Sequence, residues 1–183
     1  MIAMNRNRLS LEDILAVLAR TPASLTALLG GLPNTWINAT EGDTTWSPYD
    51  VIGHLINGER TNWIPRARHI LSGDPRPFDP FDRTPAQGQE IPLSQLLSTF
   101  DALRRDNVTL LVGMNLTTSD LSRTGLHPEL GEVSLGQLLA TWAVHDLDHM
   151  GQIVRTMSKV YVDEVGPWGQ YLSILKDRQR KLA

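Results

Sequence analysis

The chain has 183 residues, 41% of them hydrophobic and 20% charged, with no cysteine and a formal net charge of −3. That balance fits one soluble globular domain with a real core, expected to span 1–183. It excludes disulfides, thiolate nucleophiles, iron–sulfur clusters and cysteine zinc sites, and with a pI near 5.9 it gives no electrostatic footprint for nucleic acid or an anionic membrane. Any metal must rest on His, Asp, Glu or water. No run approaches the roughly 18 apolar residues of a membrane span. Met1 to Arg8 lacks the apolar stretch of a secretory signal, so a cytoplasmic location is the expectation.

Ser10 is placed to cap a first helix, with Glu12 and Asp13 in the first turn where the dipole favours negative charge. Leu11, Ile14, Leu15 and Leu18 give its apolar face, Pro22 interrupts the pattern, and Leu25, Leu28 and Leu29 resume it. The helix therefore either kinks at Thr21-Pro22 or gives way to a second short one. Gly30-Gly31 and Pro33 end it. After a loop over 32–45, Trp46-Ser47-Pro48-Tyr49-Asp50 supplies a cap, a proline at the first helical position and an acid three after the cap. Val51, Ile52, Leu55, Ile56 and Trp63 form the apolar side of this second helix. His54 lies at the edge of that stripe, able to reach the interior, with Gly58 one turn on. Pro65 bends or ends the helix, which closes by Ser72-Gly73.

Gly73 to Pro92 carries Pro75, Pro77, Pro80, Pro85 and Pro92 with Phe78 and Phe81 between them. It reads either as a lid or as a strap between distant helix ends. A third helix runs from Leu93 to Met114, with Leu96, Leu97, Phe100, Leu103, Leu110 and Leu111 inward. Asp101, Arg104, Arg105 and Asp106 are expected to face out, and Asn107 interrupts the stripe and needs a hydrogen-bond partner. Asn115 to Val133 reads as a loop that delivers the chain to a capping box at Ser134 to Gln137. The helix that follows covers Leu138 to Met157. Beyond Lys159, Gly166-Pro167-Trp168 breaks the chain, and Trp168, Tyr171, Leu172 and Leu175 suggest a short C-terminal helix ending in basic residues. The sum is an all-α protein, a four-helix bundle whose long connection favours a crossover over simple up-and-down wiring.

His145 and His149 stand four residues apart, so on a helix they stack on one face, here inside the stripe of Leu138, Trp142 and Ile153. A buried histidine is costly unless its nitrogens have partners, and a divalent metal is the natural shared partner. With His54 from the second helix, three neutral imidazoles can occupy one side of an ion and leave positions for water or substrate. The same spacing also suits two core histidines bonded to polar neighbours, with His54 on a helix surface. Gln152, three after His149, is expected to line the cavity and orient a substrate or water, or to bond a neighbouring helix. Asp146 and Asp148 flank the stripe, as anchors for ligand ring N–H groups or as caps and solvated charges. His127, before Pro128, is a candidate for the site mouth; His69 and Asp50 read as structural, and Trp46, Trp142 and Trp168 as core or interface aromatics. Asp146 stands where the zinc-peptidase motif needs Glu, and no Ser or Lys has the partners of a nucleophile.

Through Trp46-Ser47-Pro48, His54-Leu55 and Glu59-Arg60, then Leu138-Leu139, His145-Asp146-Leu147-Asp148-His149 and Gln152-Ile153, the sequence resembles the DinB-like superfamily of four-helix-bundle metalloenzymes, which includes the YfiT-like proteins. The similarity runs over nearly the whole chain, His127 to Gly131 and Val165 to Trp168 included. The resemblance implies a bundle with crossover wiring, often a homodimer. It also implies a divalent metal, zinc or nickel, on one second-helix histidine and an HxxxH pair, which map onto His54, His145 and His149. The chemistry implied is that of a small-molecule enzyme, a thiol S-transferase or a related hydrolase. With no cysteine in the chain, a low-molecular-weight thiol would have to come as a cofactor. The alternative is a non-catalytic stress or binding bundle whose metal only stabilises the core.

Overall fold

The structure is a computed structural model that describes residues 10–82 and 91–176. Met1 to Arg8, Pro85 and the basic stretch beyond Lys176 lie outside the described residues. The helices are α1 (Leu11–Leu29), α2 (Asn34–Ile37), α3 (Pro48–Thr61), α4 (Trp63–Ser72), α5 (Leu93–Gly113), α6 (Thr118–Leu121) and α7 (Leu135–Ser158). Among the described residues no helix is long and apolar enough to cross a membrane.

The expected caps are in place. Ser10 accepts from the Asp13 N–H, and Ser47–Asp50 and Ser134–Gln137 form reciprocal capping boxes that satisfy otherwise unpaired N–H groups. The second helix breaks at Asn62, three residues before Pro65, and resumes as α4. Pro22, in contrast, stays inside one uninterrupted α1. A proline there has no N–H to offer the carbonyl of Leu18, four residues back. That carbonyl instead accepts from Arg104 Nη1 at 2.9 Å.

Arg104 is thus not on the surface as its charge suggests; it is 1% exposed. Its guanidinium donates to Asp146 Oδ2 at 2.5 Å, Asp146 Oδ1 at 2.9 Å and Glu59 Oε1 at 2.8 Å, besides Leu18. Trp142 Nε1 adds a bond to Glu59 Oε1 at 3.0 Å, and Asn107 Nδ2 donates to Glu59 Oε2 at 3.0 Å and to the Glu59 carbonyl at 2.7 Å. Asn107 has the partner its place in the stripe demanded. Two apolar clusters flank this polar layer. One gathers Leu18, Trp63, Ile70, Leu111, Leu139 and Trp142; the other gathers Leu25, Ile52, Leu55, Leu97, Phe100 and Ile153.

α1 packs on α5 and α7, and α3 packs on the same two helices from the other side. Successive long helices α1 and α3 therefore face one another across the bundle, as do α5 and α7, which is the crossover wiring. The long stretch after α4 joins neighbours rather than making that crossing. Its described part, 74–82, lies along α4: Arg66 donates to the Asp79 carbonyl, His69 to the Arg76 carbonyl, and Asn57 to the Asp82 carbonyl.

The region expected as a loop before α7 contains an antiparallel hairpin, β1 (Thr124–His127) with β2 (Gly131–Ser134), in the register His127 opposite Gly131. Each arm has four residues and includes a glycine, too short to show an alternating pattern. The strap joins it: Phe78 N–H donates to the Leu126 carbonyl at 2.9 Å. Gly125 makes this seat, since a Cβ there would stand 2.7 Å from the Phe78 ring and 2.9 Å from Ile70 Cγ1. The expected short C-terminal helix is a series of 3-10 turns, Lys159–Tyr161, Gly166–Tyr171 and Ser173–Leu175, and Trp168 is 73% exposed.

Replacing Arg104 with Met would leave two carboxyl groups buried without their cation. Arg104→Met is expected to lower unfolding stability by about 3–5 kcal/mol in urea titrations; a midpoint equal to wild type would remove the guanidinium from its organising role.

Candidate metal centre

α3 and α7 pack side by side, and their histidines meet between them. His54 Nε2 lies 3.2 Å from His145 Nε2, which lies 3.1 Å from His149 Nε2. One nitrogen from each ring falls within 4.8 Å of the others. Three imidazoles around a tetrahedral ion with bonds near 2.0–2.1 Å would hold their nitrogens about 3.3 Å apart. The donor set and its spacing therefore fit a divalent ion.

Aromatic rings hold the imidazoles in place. Trp46 lies against His54 at a centroid distance of 4.6 Å and stacks on His149 at 6.2 Å. Phe81 meets His54 edge-on at 5.4 Å, which puts the strap against the cluster. Trp63 meets His145 edge-on at 5.1 Å while its other side stacks on Trp142 at 5.6 Å. Gly58 makes room for that indole, because a Cβ there would stand 3.2 Å from Trp63 Nε1.

Metal ligation needs neutral imidazoles with a lone pair turned inward. Burial, reinforced by His149, His54 and Arg104, pushes the pKa of His145 down to about 3. Burial also lowers His149, against the opposing effects of Gln152, Asp148 and Asp146. Gln152 does not sit in the cavity wall as expected. Its Oε1 accepts from His149 Nδ1 at 2.9 Å, which places the ring proton on Nδ1 and leaves Nε2 as the donor atom facing the cluster. Asp146 is not a partner of a histidine ring; it is fully buried and committed to Arg104. Asp148 is exposed. Asp50 caps α3, and His69 donates to a strap carbonyl, as structural residues.

The cluster borders a cavity of about 460 Å³. Its walls come from four sources: Trp46, Asn62, Trp63 and Arg66 from the second helix region, Phe78 and Phe81 from the strap, His127, Leu130 and Val133 from the hairpin, and Gln137, Leu138 and Thr141 from α7. His127 does stand on this cavity, with its Nδ1 accepting from the N–H groups of Glu129 and Leu130 at 3.1 and 3.2 Å. Trp46 and Trp63 line this cavity, and Trp63 belongs at the same time to the buried core, as its place in the apolar stripe predicts. Their one sequence signal was position: each neighbours a cap, one residue before Ser47 and one after Asn62.

Comparison with known proteins agrees with this picture. The family model of the DinB superfamily matches residues 18–153. A curated relative from Oceanobacillus iheyensis, named "Putative metal-dependent hydrolase", is 27% identical over 124 residues, 67% of this chain and 71% of its own. A solved structure of YfiT from Bacillus subtilis, described as a probable metal-dependent hydrolase with an unusual four-helix bundle topology, superposes with a TM-score of 0.69 at 19% identity. That match covers 87% of this chain and 91% of the other, and at that identity it speaks to the fold.

A histidine whose folded pKa is depressed binds fewer protons folded than unfolded, so stability is retained above the unfolded value and lost as pH falls. For His145 the window runs from about 6.5 down to about 3. In metal-free protein, the loss of stability across that window is expected to be shallower in His145→Gln than in wild type; parallel curves from urea titrations at stepped pH would contradict it.

Proposed function

The chain belongs to the DinB superfamily, and we propose that it is a metal-dependent hydrolase of a small molecule, with His54, His145 and His149 as the ligands. The observation that carries this reading is the convergence of the three Nε2 atoms beside an open cavity. The names of the relatives support the reaction class. A divalent ion held there would supply Lewis acidity to a substrate carbonyl or to water. The chain's own contribution is to keep His145 and His149 neutral by burial, to fix the His149 tautomer through Gln152, and to exclude bulk water with aromatic walls. A ligand set of three, open toward a cavity, is the catalytic arrangement, whereas a stabilising ion is enclosed by four. The cavity volume suits a small-molecule substrate.

Zinc or nickel is the ion proposed, although imidazole donors also suit copper and iron. Thiol S-transfer is the alternative reaction at the same site: a low-molecular-weight thiol would take the place of water on the open side of the cluster. A screen of esters, amides and thiol-dependent electrophiles, each with and without added thiol, separates the two reactions.

Elemental analysis of protein purified without a polyhistidine tag is expected to find about one equivalent of a divalent metal, and none in His54→Ala or His145→Ala. Metal-free wild-type protein would sink the proposal. Gln152→Ala is expected to retain the ligands and weaken metal affinity by about 10–100-fold in a competition titration.

A further inference from the structure

α7 gives the cavity a line of residues four apart: Gln137, Thr141, His145 and His149. Four residues advance a helix by about 6 Å, so Thr141 stands one step and Gln137 two steps before His145 on the same side. The histidines are ligands in the reading above; Thr141 and Gln137 have no part in it.

Thr141 departs from the habit of its own chain. Thr21, Thr61, Thr99 and Thr109 also lie in helices, and each returns its hydroxyl to the carbonyl four residues back, at 3.2, 2.9, 2.8 and 2.8 Å. Thr141 Oγ1 makes no such bond to Gln137, and it has no hydrogen-bond partner among the described residues. The side chain is exposed, although it belongs to the cavity wall. With no carbonyl to hold it against the helix, the hydroxyl is accessible from the cavity. Gln137 is exposed as well. Its Oε1 accepts from the Ser134 N–H at 2.8 Å, which assigns the amide orientation and leaves the two N–H groups of Nε2 as donors. Beyond these two polar groups, Trp63, Phe78, Phe81, Leu130 and Val133 make much of the remaining wall apolar.

We propose that Thr141 is a specificity-determining residue that donates a hydrogen bond to the substrate. The substrate is then a flat, mainly apolar molecule with an acceptor oxygen, such as a carbonyl, one to two steps along α7 from the group held at the histidine cluster. Gln137 continues the same line of donors, and the aromatic rings receive the flat body by stacking and edge contacts. This rests on the hydrolase reading of the cluster.

The test uses two flat hydroxamic acids, which chelate a divalent ion through their two oxygens: meta-acetylbenzohydroxamic acid and meta-ethylbenzohydroxamic acid. They differ in a ketone oxygen that replaces two methylene hydrogens. Metal content of the full chain is measured first, and affinities for the metal-loaded protein follow by calorimetry. The acetyl compound is expected to bind about fivefold more tightly in wild type. The ratio should fall to about one in Thr141→Val, with metal content unchanged, and should be kept in Thr141→Ser. Equal affinities in wild type would mean that water serves the hydroxyl, and would overturn the proposal. So would failure of both probes to bind, a preference that survives Thr141→Val, or one lost equally in Thr141→Ser. The wild-type comparison stands even if a variant folds poorly. Protein that takes up no metal would sink the hydrolase reading and this proposal with it, whereas metal-loaded protein without the preference would sink this proposal alone.

Discussion

A guanidinium on the bundle axis sets the register of everything around it. Arg104, from α5, bonds a carbonyl of α1, a carboxylate of α3 and a carboxylate of α7. Burying three charged groups is expensive, and the expense is offset only when hydrogen-bond geometry is nearly complete. That condition makes the cluster directional where apolar packing is not. A helix sliding or rotating by one residue would strand a carboxylate in the core. Glu59 follows His54 by five residues on α3, and Asp146 directly follows His145 on α7. The clamp that fixes Glu59 against Asp146 therefore also fixes the imidazoles against each other.

The opening for Arg104 is made by Pro22. A regular helix would use the Leu18 carbonyl internally; the missing N–H of the proline frees it for the guanidinium. A residue that reads as an interruption of α1 thereby becomes part of the central network. Trp142 has a similar double duty, donating to Glu59 with its nitrogen while its ring supports Trp63, which in turn stands against His145. Core packing and site geometry share these side chains.

What could be read in advance followed from local periodicity. His145 and His149 share a helical face whatever they do, the capping boxes mark where α3 and α7 begin, and Asn107 announced an unmet need for a partner. What could not be read depends on pairs distant in the chain. Arg104 looked solvent-facing because charge usually is, and its actual partners lie 42, 45 and 86 residues away. Gln152 has the right spacing for either the cavity or the back of His149, and only the rotamer decides. The hairpin is held by Phe78 seated on Gly125 and by the hydrogen bond from Phe78 N–H to Leu126, neither of which leaves a pattern in eight short strand residues.

Ligands and cavity come from different parts of the architecture. The imidazoles sit on bundle helices whose positions are over-determined by the buried polar layer. One side of the cavity wall comes from the strap and the hairpin, which pack onto the bundle without belonging to it. A metal whose task was to stabilise would add little where Arg104 already joins the four long helices, and it would not need a 460 Å³ space beside it. The arrangement makes sense if the bundle supplies a rigid donor set and the appended segments decide what reaches it. Aromatic walls then serve twice: they bury His145 and His149, which keeps them neutral, and they exclude the water that would otherwise screen charge developing on a bound substrate.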